Sequence, residues 1–328
     1  MLNFYPPPVW GIFSCARRIK YPMLSRKREK EMENQFLEKL NTMRPAHPRT
    51  IALAAAEDVD AMRAICRAHE MGFVNAILCG DENRVKDLAL KNNLNISGFE
   101  IVHCESDLDA ATCATGLVRD GRADILMKGL IHTADILRAV LNRETGIRGD
   151  GILSHVSVLY SHIYNRTLFM TDIAMVMYPD LETKVNLIKN AVNFARHMGV
   201  DMPRVAALCA VETLNPKMQA TVDAAALHQM NARGEIENCI VSGPIAFDIA
   251  VSRGAAEKKG VTGPVAGDAD ILLFHNIEAG NNTIKAMVQF GDWIFGGVVL
   301  GARAPIVLNS RSDSDLSKLY SICCACTM

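Results

Sequence analysis

IALAAAEDVDAMRAICRAHEMGFVNAILCGDENRVKDLALKN, residues 51–92, decides the fold. IALAAA (51–56) is an apolar run of strand length, and AMRAICRAHEMG (61–72) carries its apolar residues at helical spacing. VNAILCG (74–80) is a second strand, and DENRVKDLALKN (81–92) its helix. The rhythm continues outward. EIVHC (100–104) precedes a helix containing DAATCATGLVRDG (109–121). ADILMKG (123–129) is a strand ending at a Lys-Gly turn, and TADILRAVLNR (133–143) follows as a helix. Strand, helix, strand at this spacing predicts parallel pairing with crossover helices, an α/β fold.

The pattern changes after Gly149-Asp150-Gly151. SHVSVLY (154–160), TLFMTD (167–172) and IAMVMYP (173–179) crowd together, as strands of a sheet with antiparallel members do. LETKVNLIKNAVNFARHMG (181–199) places Leu181, Val185, Ile188, Val192 and Ala195 on one helical stripe. Strand RVAALCAV (204–211) leads to a helix over 216–234, with Asn215 as its cap and Pro216 at its first position. CIVSG (239–243), ILLF (271–274), FGGVVLG (295–301) and PIVLNS (305–310) complete the strands. The expected organisation is a disordered extension over 1–30, a first α/β domain over 31–150 plus 303–328, and a second over 151–302. The C-terminal segment returns to the first domain because its strand and helix match that half in style.

The length of 328 residues suits about two domains at roughly 100–200 residues each. Lys and Arg number 35 against 36 Asp and Glu, so the chain has no general electrostatic drive toward nucleic acid or anionic membranes. Aromatics at 6% exclude a base-stacking surface. No run of about 18 uncharged apolar residues exists to span a membrane. The basic run from Arg17 to Lys30 follows an apolar patch, the reverse of a secretory signal. Ten cysteines, most of them scattered through apolar runs, read as buried thiols of a cytoplasmic protein. Cys323, Cys324 and Cys326 lack a second ligand pair, so no metal is expected.

Standard catalytic motifs are absent. There is no G-x-x-x-x-G-K-[ST]; GDGILS (149–154) starts like a dinucleotide fingerprint, but Ser154 replaces the third Gly and a strand follows. No G-x-S-x-G and no H-E-x-x-H occurs. His155 and His162 lie seven apart on a strand, facing opposite sides. Three polar groups beside strands remain, where open α/β sheets bind ligands. Lys128-Gly129 offers a cation for an anionic group of a substrate and a close backbone approach, or simply a surface turn. GDAD (267–270) and Glu278 flank strand ILLF, with helix capping as the plainer role. Ser310-Arg311-Ser312-Asp313-Ser314 follows a strand and opens the last helix, a setting for phosphate with Asp313 as base, or for ordinary capping.

LMKGLIHTADILRAVL (126–141), SHVSVL (154–159), TDIAMVMYPDLETKVNLIKNAV (171–192), VETLNPKMQATVDAAAL (211–227), IVSGPIAFDIAVS (240–252), VAGDADILL (265–273), IEAGNN (277–282) and APIVLNSRSDS (304–314) together resemble the phosphate acetyl/butyryl transferases, in order, from about residue 50 to 320. LMKGL, DLETK and NPKM resemble the butyryl branch more than the acetyl branch. The resemblance implies two α/β domains with a cleft between them, like the isocitrate and isopropylmalate dehydrogenases. It implies acyl-CoA plus phosphate giving acyl phosphate plus CoA, with coenzyme A and phosphate as substrates, no tightly bound cofactor, and a homodimer or higher homo-oligomer. Ser310 and Arg311 match the family's Ser-Arg motif, and Arg138 matches an Arg that contacts phosphate. The acetyl branch's acidic residue falls on Ser317, so Asp313 is the first replacement as base, with Asp315 and Glu278 next. A phosphate acetyltransferase acting on acetyl-CoA, and a non-catalytic CoA-binding homologue, are the competing expectations. Both nucleophiles come from the substrates, so no cysteine is required.

Overall fold

The computed structural model describes residues 35–161, 166–291, 293–310 and 313–328. The extension expected over 1–30, with its basic run, lies outside the described residues, as do His162 and Arg311. β1 (Arg49–Ala54), β2 (Val74–Gly80), β3 (Glu100–His103) and β4 (Ile125–Lys128) pair in parallel in the order β3-β2-β1-β4. They are joined by α1 (Val59–Glu70), α2 (Glu82–Lys91) and α3 (Asp107–Arg119), and α4 (Thr133–Val140) follows β4. Local chemistry starts these helices where it should. The Asp58 carboxylate accepts from the N–H groups of Asp60 and Ala61 at the head of α1, and Ser106 accepts from Asp109 at the head of α3. Each such cap contributes about 1 kcal/mol.

β5 (Ser154–Ser161) and β6 (Arg166–Thr171) are antiparallel, and α5 (Leu181–His197) follows. Then come β7 (Arg204–Leu208), α6 (Gln219–Ala232), β8 (Ile240–Ile245), α7 (Phe247–Val251), α8 (Arg253–Lys258), β9 (Ile271–Leu273), α9 (Ile277–Phe290) and β10 (Ile294–Leu300). β11 (Ile306–Val307) and α10 (Asp315–Ala325) close the chain. Among the described residues all strands join one 11-stranded sheet in the order β3-β2-β1-β4-β11-β10-β5-β6-β9-β7-β8. The block β6-β9-β7-β8 is parallel, while β10 runs antiparallel to both β11 and β5. The C-terminal segment thus returns beside β4, and α10 packs on α1.

Period-two alternation sorts the strand side chains onto two faces. Ile51, Leu53, Val156, Val158, Val298 and Val307 enter one continuous core that runs beneath the whole sheet and takes in α1, α5 and α10. On the other face the apolar side chains split into two clusters. Ala52, Leu126, Val299 and Ile306 belong to one, Leu159, Met170, Leu272 and Ile284 to the other. Cys323, Cys324 and Cys326 sit in the continuous core, and burial pushes the Cys326 thiol up to about 12. Lys184 is also buried there beside α6, ion-paired with Asp223, its Nζ 3.0 Å from His275 Nδ1. Among the described residues no helix is long and apolar enough to cross a membrane.

Two local expectations are overturned. IAMVMYP (173–179) is a loop, not a strand. The Asp172 carboxylate accepts from Ala174 N and Met175 N at 2.7 and 2.8 Å, which turns the chain out of the sheet and leaves Tyr178 exposed. The helix expected from Pro216 starts at Gln219. Asn215 Oδ1 accepts from Lys217 N at 3.0 Å in a tight turn, and the Thr221 hydroxyl donates to Met218 O at 2.8 Å. Asn215 therefore shapes a turn before the helix and does not cap it.

Candidate active site

A cavity of about 1010 Å³ opens where the two apolar clusters of the divided face meet. Ile173, Ile284 and Phe295 line it from one cluster, Val299 and Leu308 from the other. Its polar lining comes from His155 on β5, Asn281 on α9, and Asn309, Ser310, Asp313 and Ser317 around the β11–α10 connection. A large, mostly apolar concavity with a few convergent polar groups is the common form of a ligand site.

The loop holding Ser310 and Asp313 is built by its own side chains. Asp313 Oδ2 accepts from Ser310 N at 2.8 Å and from Asn309 Nδ2 at 3.2 Å. Asn309 Nδ2 also donates to Ser321 Oγ at 3.1 Å, and Lys318 Nζ donates to Asp313 O at 2.9 Å. Asn309 Oδ1 is buried with no hydrogen-bond partner among the described residues. The last helix is capped by Ser314, whose hydroxyl accepts from Ser317 N, and its first residue is Asp315. Ser310 and Asp313 therefore do not share the first helical turn, contrary to expectation. Asp313 is spent on closing a loop ahead of the cap, so the helix begins later.

The other expected residues take the following places. Lys128 ends β4 and is buried, its Nζ donating to Gly129 O at 3.1 Å and Ile131 O at 3.0 Å. Gly129 does provide a close backbone approach, but to β1: a Cβ there would lie 2.1 Å from Ala55 O. Arg138 is exposed on α4 and pairs with Asp135 at 2.8 Å, while Thr133 of the same helix reaches the cavity wall. Ser317, where the acetyl branch carries its acid, is on the cavity wall. Asp315 accepts from Leu316 N at 2.9 Å, and Glu278 accepts from the Tyr178 hydroxyl, which lowers the Glu278 pKa. Neither is among the residues lining the cavity.

His155, Asn281 and Asn309 join the site without having been singled out as site residues. His155 is 8% exposed, its Nδ1 3.4 Å from Ser157 Oγ, and burial lowers its pKa against the opposing charges of Asp172 and Asp313. The available signal was a lone imidazole in an apolar strand, on the same face as Ser157 by period two.

The profile of the family described as Phosphate acetyl/butaryl transferase matches residues 35–114 and 105–326. A phosphate butyryltransferase of Clostridium acetobutylicum is 43% identical over 294 residues, covering 90% of this chain and 98% of that protein. A phosphate acetyltransferase of Thermotoga maritima is 39% identical, covering 88% of this chain and 97% of that one. Among solved structures, a branched-chain phosphotransacylase from Enterococcus faecalis superposes with a TM-score of 0.76 at 31% identity, over 85% of this chain and 98% of that chain. Profile matches that reach from 35 to 326, and relatives that align nearly end to end, carry one conclusion: the chain belongs to the phosphate acetyl/butaryl transferase family.

Proposed function

We propose that this chain is a phosphate acyltransferase that interconverts a short-chain acyl-CoA plus phosphate with acyl phosphate plus CoA. The observation that carries the reading is the cavity, which joins an apolar wall to the polar Ser310–Asp313 loop. The apolar side suits an acyl chain, with butyryl favoured over acetyl. The polar end suits the reacting phosphate and thioester. No cofactor is needed, since both nucleophiles arrive as substrates.

In the forward direction a phosphate oxygen attacks the thioester carbonyl. Arg311 and Arg138 hold the phosphate and offset its charge, which positions it for attack. Arg138 leaves Asp135 at little cost, because an exposed pair three residues apart is worth about 0.2–0.5 kcal/mol. The Ser310 hydroxyl donates to the oxyanion of the tetrahedral intermediate, a contact worth on the order of 10²–10³ in rate. In reverse, Asp313 accepts the proton of the CoA thiol. Lys128, at its turn with Gly129, supplies a further cation for the phosphate or CoA. Residues 31–150 with 303–328, and residues 151–302, form two α/β units with the substrate cleft between them, as in isocitrate- and isopropylmalate-type dehydrogenases. The enzyme works in the cytoplasm as a homodimer or larger assembly.

The test is thiol release from butyryl-CoA with and without phosphate. Phosphate-dependent release supports the reading. CoA binding without turnover would make the chain a non-catalytic homologue.

A further inference from the structure

We propose that His155 holds the proton that Asp313 takes from the CoA thiol, so that the pair, and not the carboxylate alone, is the proton acceptor of the cavity. This rests on the acyl-transfer reading above.

The placement of the ring carries the idea. β5 pairs antiparallel with β10, setting His155 opposite Val299 and Ser157 opposite Gly297. The imidazole leans over Gly297: a Cβ there would stand 2.4 Å from His155 Nε2 and 2.5 Å from Cε1. Those ring atoms and the Ser157 hydroxyl are the three nearest groups such a Cβ would meet. Glycine at this point of the strand makes the hole in which the ring sits, on the wall of the same cavity that Asp313 lines. The charges that act on the ring among the described residues are those of Asp172 and Asp313. Directly after β6 comes Asp172, whose Oδ2 accepts from His155 N at 2.9 Å and whose Oδ1 turns the 172–175 loop. The connection before α10 supplies Asp313, and α9 supplies Lys285 on the cavity wall. β10 sets Gly297 and Val299, neither of them charged, opposite Ser157 and His155.

The chemistry favours a pair. Ordinary thiol and carboxylate pKa values differ by about 4.6 units, thiol and imidazole by about 2; burial takes back part of the imidazole's advantage at His155, and the charges of Asp172 and Asp313 oppose that loss. Burial keeps the resting ring neutral and ready to accept, and the Asp313 charge favours the imidazolium once formed. The S–H bond breaks and its proton passes to the Asp313 carboxylate, then to the imidazole. The thiolate forms a bond to the acyl carbon of acyl phosphate, the C–O bond to phosphate breaks, and the departing phosphate recovers the proton from the imidazolium.

The experiment compares the parent chain with His155→Asn, Gly297→Ala, Asp313→Asn and the His155→Asn/Asp313→Asn double variant, using CoA and butyryl phosphate. His155→Asn should lower kcat on the order of 10²-fold with the CoA KM unchanged, and remove the acidic limb of the kcat–pH profile. Gly297→Ala keeps the imidazole but pushes it from its seat, and should lower kcat in the same direction. The double variant should be no slower than the slower single variant, because both act on one proton. Independently of turnover, the imidazole signal of His155 in an NMR titration should shift to lower pH in Asp313→Asn. A His155→Asn enzyme within twofold of the parent and keeping its acidic limb overturns the relay, as does a double variant whose losses multiply. A parent that fails to release or consume thiol overturns the acyl-transfer reading and the relay with it.

Discussion

Asp313→Asn separates a chemical role from a structural one at the same position. The carboxylate Oδ2 accepts two hydrogen bonds, from Ser310 N at 2.8 Å and Asn309 Nδ2 at 3.2 Å. The amide oxygen of Asn can keep the bond to Ser310 N but has less to offer the second donor. One weakened bond costs about 1 kcal/mol, and a melting temperature drops by roughly 2–4 °C per kcal/mol for chains of about 150–250 residues. The effect on chemistry is larger, because an amide cannot take a proton, and kcat should fall by about 10²-fold or more. Thiol release from butyryl-CoA gives kcat, and a thermal melt on the same sample gives stability. Near-normal kcat with a lowered melting temperature would make Asp313 a loop brace only. The proton acceptor would then have to be sought elsewhere on the cavity wall.

Butyryl-CoA should exceed acetyl-CoA in kcat/KM by roughly tenfold, since each buried methylene is worth about 0.8 kcal/mol; a ratio favouring acetyl-CoA would remove the chain from the butyryl branch. Asp223→Ala leaves Lys184 charged and buried without its carboxylate, so unfolding free energy should drop by about 3–5 kcal/mol in a denaturant titration; a loss under 1 kcal/mol would mean water reaches Nζ. The buried cysteines predict weakness at high pH. Burial raises the thiols of Cys66 and Cys239 to about 11 and Cys326 to about 12, so the folded state keeps them protonated while the unfolded chain ionises above about 8.5. This stabilisation is complete below that unfolded value and is lost as pH rises through the folded ones. Melting temperatures should therefore fall between about pH 8.5 and 11, and a flat profile would contradict the burial argument.

The strands of the first half were legible because IALAAA and VNAILCG are short, apolar and followed by helical periods, and parallel pairing follows from that order. IAMVMYP was misread for the same reason. It is as apolar as its neighbours, and only the Asp172 carboxylate, two bonds to backbone N–H groups, reveals a turn. The antiparallel seat of β10 between β11 and β5 is a tertiary choice that no local spacing encodes. In the site, Ser310 and Asp313 are legible as a motif, but the helix starts later than the motif suggests, with its cap at Ser314, four residues beyond Ser310. Ser314 competes for the same role and wins, because Asp313 is tied back to Ser310 N. His155 stayed hidden because its meaning depends on register: only the pairing of Ser157 with Gly297 shows that the ring has room over β10.

The most direct measurement of the central claim follows both products at once. Purified chain, butyryl-CoA and phosphate are mixed, free thiol is read colorimetrically, and acyl phosphate is trapped with hydroxylamine. Thiol and hydroxamate should appear in equal amounts, only with phosphate present, and Arg311→Ala should raise the phosphate KM while lowering turnover. Thiol released without acyl phosphate, or no release at all, would contradict acyl transfer to phosphate.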